Sequence, residues 1–171
     1  SYPSCHLNSV QMSRVLSFKS LCNKADRNSI YEIDKILIID FYMAYPGCIR
    51  DFKFPKELHN IKKEFNDLKK DYRNPINNLQ TFQRISILQK KALSNILSQG
   101  YFEIDHFKKG YLKVTNKKLS DELILILKNF SFYGDRRLPL LLILSFLEIN
   151  TNGENGLKFR SGLMEYRYED A

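Results

Sequence analysis

The run from Ile30 to Gly47, IYEIDKILIIDFYMAYPG, constrains this chain more than any other stretch. Ile30, Ile33, Leu37, Phe41 and Ala44 recur at steps of three and four, and Ile36 and Met43 widen the stripe. That spacing predicts a helix with a broad apolar face that has to be buried against other parts of the chain. Pro46 removes a backbone donor and disfavours helical backbone at Tyr45, and glycine at 47 suits a helix end, so the limits are roughly Tyr31 to Tyr45. Asp40 falls among these apolar neighbours. A buried carboxylate without a partner is too costly to expect, so it is either a catalytic acid or, as the main expectation, half of a structural ion pair with Arg136, Arg137 or Arg160.

A chain of 171 residues can bury about two thirds of its unfolded surface in one core, so a single domain over 1–171 is expected. The formal charge of +8 favours acidic partners without choosing among nucleic acid, acidic protein faces and simple solubility. Cys5, Cys22 and Cys48 are too irregularly spaced for a disulfide framework or a zinc site and are read as free thiols. Phosphate loops of the GxxxxGK type, GxGxxG and GxSxG are all missing, and His6, His59 and His106 are scattered. The reading is therefore a protein that is not an enzyme and needs no metal or cofactor. Leu138 to Ile149, the most apolar run, is about 12 residues, against roughly 20 for a membrane helix. No signal pattern opens the chain, so a soluble cytoplasmic protein without a membrane partner is expected.

The fold class expected is mainly α: a helical core over about 7–149, a winged-helix-like part over about 30–118 with a short hairpin or wing, and an extended tail over 156–171. A first imperfect helix runs from Leu7 to about Lys24. After Pro55, the residues Leu58, Ile61, Phe65, Leu68 and Tyr72 mark an amphipathic helix, and Asn78 to Gln99 another that Gly100 closes. Tyr111 to Thr115 alternates as a strand does, with Asp51 to Phe54 as its expected partner. Ser120 can cap a helix running to about Ser131. The run Leu138 to Ile149 is apolar on all sides, which fits either a central core helix or one shared between the core and a second protein.

The most biased stretch is His106 to Ser120, which holds Lys108, Lys109, Lys113, Lys117 and Lys118 and no acidic residue. These cations are candidates for phosphate contact with duplex DNA, and the plain alternative is a solvated loop. Arg136 and Arg137 are divided between pairing with Asp40, capping the preceding helix and binding a partner. Leu138, Leu142, Phe146, Phe159, Tyr166, Arg167 and Tyr168 are the partner-binding candidates, because surplus apolar surface and exposed Tyr and Arg mark interfaces. A self-packed core helix under a self-packed tail is the alternative.

The pattern YEIDKILIIDFYMAYP at Tyr31 to Pro46, FPKEL at Phe54 to Leu58, and GLKFRSGLMEYRY at Gly156 to Tyr168 resembles the middle component of bacterial ABC-three-component systems. That group is similar to Lamassu-type antiphage defence operons, whose small middle subunit is called LmuC. The resemblance covers most of the chain from about Leu7 onward. It implies a helical, winged-helix-like fold and a non-catalytic subunit that joins a DNA-sensing, SMC-like ABC ATPase to an effector such as a nuclease. It carries over no active-site residue. A stand-alone winged-helix DNA-binding transcriptional regulator is the alternative reading.

Overall fold

The run IDKILIIDFYMA forms a helix, Ile33–Ala44 (α1), and its eight residues from Ile36 to Met43 are all buried. A one-sided stripe was the expectation. So many large apolar side chains in succession leave no polar face, and the helix is covered all round. Pro46 ends it and opens a 3-10 turn, Pro46–Asp51. The computed structural model describes residues 30–66, 75–122, 125 and 137–165, with backbone alone for 137–140. The expected helix at Leu7 to Lys24 lies outside these residues, as do Cys5 and Cys22.

Helices dominate the described residues, joined by a two-stranded antiparallel sheet. The chain divides into two compact units, Ser1–Ile33 with Ser86–Gly134, and Asp34–Ile85 with Asp135–Ala171.

In the second of these, α1 is joined by a 3-10 turn at Lys56–Leu58, the helix His59–Asn66 (α2), the helix Arg137–Leu147 (α5) and the short helix Leu157–Ser161 (α6). Its centre is aromatic. Phe52 stacks on Phe146 at 4.4 Å between ring centroids, Tyr42 meets both edge-on at 5.6 and 5.7 Å, and Phe41 meets Phe82 edge-on at 5.8 Å. Such pairs add roughly 0.5–1.5 kcal/mol each beyond their burial. Polar contacts tie early residues to late ones. Lys35 Nζ donates to the Leu147 carbonyl at 3.0 Å, capping α5 where its dipole is negative. Lys158 pairs with Asp34 at 2.9 Å. The Lys53 N–H donates to Arg160 O at 3.0 Å, and Arg160 Nη1 returns a bond to Lys53 O at 2.8 Å.

The C-terminal tail was expected to be extended, and at Leu157–Ser161 it is helical instead. Four alternating residues, Leu157 to Arg160, cannot distinguish a strand from a single helical turn. What decides is the Gly156 turn before it and Leu157, which is fully buried.

In the other unit the helix Asn78–Ser98 (α3), whose first residues belong to the unit already described, runs into Gly100 at φ 81°. The Gly100 N–H donates to Leu97 O and the Tyr101 N–H to Ile96 O, which is the Schellman pattern that a left-handed glycine makes. A short helix, Ile104–Lys108 (α4), and Gly110 at φ 88° then reverse the chain into the strand Tyr111–Lys113 (β2). β2 pairs antiparallel with Ile30–Glu32 (β1), in the register Ile30 with Lys113, Tyr31 with Leu112 and Glu32 with Tyr111. Phe102 bridges Val114 on the other side.

The strand partner expected at Asp51 to Phe54 is thus corrected to β1. Phe52 and Phe54 are needed in the aromatic core, and the Lys53 backbone is bonded to Arg160. β1 had been read as the first turn of α1 because Ile30 and Ile33 are three residues apart. Farther on, Asp121, Glu122 and Leu125 are helical as expected, and the remainder of that helix lies outside the described residues.

Candidate functional site

The lysine-rich stretch is built on the turn that α4 and Gly110 make between Phe102 and β2. Pairing of Phe102 with Val114 places Glu103 opposite Lys113, and the Glu103 N–H donates to Lys113 O at 2.9 Å. Across that row the Glu103 carboxylate lies 3.3 Å from Lys113 Nζ. Its other oxygen lies 2.9 Å from His106 Nδ1. This second contact is off the line of a hydrogen bond, so it is an ion pair that exists only when the imidazole is protonated.

Lys117 is also committed. Its ammonium donates to the Gln99 carbonyl at the end of α3 and sits 4.7 Å from the centroid of the Tyr101 ring, while Thr115 Oγ1 donates to Gly100 O at 2.6 Å. A cation here complements the negative end of α3. Lys108, Lys109 and Lys118 are exposed, and among the described residues they have no ion-pair partner. The five lysines therefore divide into two that hold the local fold and three that face water. Sequence reasoning missed Glu103, whose only signal was its place three residues before His106, and Tyr111, a strand residue left 41% exposed beside the turn.

The partner-binding candidates fare differently. Leu142 and Phe146, expected at a partner edge, are core residues at 1% and 0% exposure, because they face the aromatic centre of their unit. Leu144, between them on the opposite side of α5, is 49% exposed. Phe159 is half-buried with Lys53 Nζ 4.6 Å from its ring centroid. The Leu138 side chain, Tyr166, Arg167 and Tyr168 lie outside the described residues. Elsewhere in this unit Ile76 projects fully into water and Leu79 is 43% exposed.

Asp40 is buried at 5% exposure. Of its three candidate partners, Arg136 and the side chain of Arg137 lie outside the described residues. Arg160 donates through Nε to Asn155 O at 2.6 Å as well as to Lys53 O.

Cys48 is a buried free thiol that donates to Asn78 Oδ1 at 3.3 Å, and Asn78 Nδ2 donates to Asp51 Oδ2 at 2.9 Å. Burial first, and the Asp51 carboxylate second, push the thiol up to about 12. Burial likewise holds the Tyr42 phenol far above its ordinary value, with Cys48 and Asp51 adding to it. A thiol so far from its thiolate is a packing group. Among the described residues no group of three or more His, Cys, Asp or Glu side chains could hold a metal ion. No helix among them is long and apolar enough to cross a membrane.

A family model described as ABC-three component (ABC-3C) system Middle Component 5 matches residues 12–169 of the chain. No curated protein and no solved structure matches it.

Proposed function

We propose, from the premise that this chain belongs to the ABC-three-component system Middle Component 5 family, that it is the non-catalytic subunit that connects an SMC-like ABC ATPase to an effector such as a nuclease. The observation that carries the reading is the extent of the match, residues 12–169, which takes in nearly the whole chain. As a middle component the protein has its role within an ABC-three-component system. On this proposal the role is the one that the resemblance of the sequence motifs to Lamassu-type defence implies, sensing foreign DNA through the ATPase and passing the signal to the effector.

A connecting subunit needs apolar side chains left over after its own core is closed, and Leu144 on α5, Ile76 just before α3 and Leu79 in its first turn supply them. α5 packs one side inward through Leu142, Ile143 and Phe146, so Leu144 stands on a rigid base.

The test is co-expression of a tagged chain with the products of the neighbouring genes. Wild type should retain the ATPase through purification, and Leu144→Asp should lose most of it while melting at the same temperature. Retention of the ATPase by the variant would move the interface off α5. Failure of the wild-type chain to retain any neighbour, together with a symmetric dimer bound to one promoter sequence, would replace the reading with that of a regulator.

A further inference from the structure

We infer that the turn carrying Lys108, Lys109 and Tyr111 is a docking point for the phosphate backbone of duplex nucleic acid, a contact made by this subunit itself. The basis is the division of the lysines described above. A solvated loop would leave all of its cations free and unplaced. Here Glu103 neutralises Lys113, and the end of α3 takes up Lys117, so the strand behind the turn is fixed. Gly110 then turns the chain between the exposed Lys108 and Lys109 and the half-exposed Tyr111. Two ammonium groups and a phenol hydroxyl on a rigid projection are the donor types that bind phosphate oxygens without reading sequence.

The local order within this unit runs from a long helix to a strand-like segment at Phe102, a projecting turn, and a strand that returns beside it. That order puts the lysines at the position of the wing in a winged-helix unit. Lys118, exposed after β2, adds a cation that has no partner among the described residues.

One feature weighs against a strongly cationic surface. Asp105, exposed on α4, is three and four residues from Lys108 and Lys109, and an exposed pair of that kind contributes only about 0.3–0.5 kcal/mol. It moderates the turn without quenching it. Tyr111, the one exposed aromatic among the described residues, is too little for the stacking track that single strands use, which favours duplex over single-stranded nucleic acid.

The experiment measures anisotropy of a fluorescent duplex of arbitrary sequence with the full chain alone, between about 50 and 200 mM salt. Wild type should bind weakly, with affinity falling steeply with salt. Lys108→Ala with Lys109→Ala should flatten the log-log slope by about 1.8 units at an unchanged melting temperature, and Lys108→Arg with Lys109→Arg should restore it. Lys117→Ala, in contrast, should lower the melting temperature. The inference is overturned by no binding of wild type at the low-salt end, or by an unchanged slope in the double alanine variant. It is also overturned if polyglutamate competes as well as duplex, which would assign the turn to an acidic protein face. None of these readouts involves the ATPase or the effector, so their failure leaves the connecting role to be judged on its own test.

Discussion

At Cys48 and Tyr42 burial has a consequence that appears only in alkali. Both groups are almost wholly neutral in the folded and unfolded chain below about pH 8, so neither makes stability depend on pH there. Above 9.0, the ordinary value of the thiol, the unfolded chain loses a proton that the folded chain keeps until about 12. Tyr42 joins from 10.0, its own ordinary value. The unfolded state then binds fewer protons than the native state, and stability falls as pH rises, by at most about 1.4 kcal/mol per pH unit for each group. Urea midpoints taken across this range should show the decline, and Tyr42→Phe should make it shallower. An identical profile for the variant would mean that the phenol ionises freely in the folded protein. Gly156 gives a second residue-level test. A Cβ there would lie 2.3 Å from the Asn152 carbonyl oxygen, whereas one at Gly110 meets nothing within 4 Å. Gly156→Ala should therefore destabilise by overpacking, about 1–3 kcal/mol, and Gly110→Ala by left-handed backbone alone, about 1 kcal/mol. Thermal melts that ranked the two variants the other way would contradict the tight turn at Gly156.

Among the elements, those whose ends carry their own chemistry were legible in the sequence. Pro46 ends α1 and Gly100 ends α3 where the pattern placed them, because a missing donor and a left-handed residue act locally. Elements of one turn or three residues were not legible. β1 and α6 are too short to contain a period, so Tyr31 and Glu32 passed for helix and Leu157 to Arg160 for extended chain. The lysines show the same limit at the candidate site. Their density was visible, but whether each holds the fold or faces water depends on Glu103, Gln99 and Tyr101, which are brought near by the reversal at Gly110. On α5 the all-round apolar run concealed which side was surplus, and only packing singles out Leu144 from Leu142 and Phe146.

For the molecule as a whole, the order in which the chain is made becomes important. The unit around α1 is closed by α5 and α6, and the bond from Lys35 to Leu147 spans 112 residues. A ribosome adding about 5–20 residues per second would leave α1 without that cover for roughly 6 to 20 s. Throughout that time the run from Ile36 to Met43, apolar but for Asp40, has no lasting shelter, and the nascent chain is expected to be a client for chaperones. Chains stalled on the ribosome after residue 136 should be cut by protease within α1, and full-length chains held on the ribosome by an added C-terminal linker should resist. Equal resistance of the two would mean that α1 finds cover without α5 and α6. A transcript broken late in its reading frame would thus yield a product that the cell degrades, so damaged messages could not seed the assembly with partial subunits.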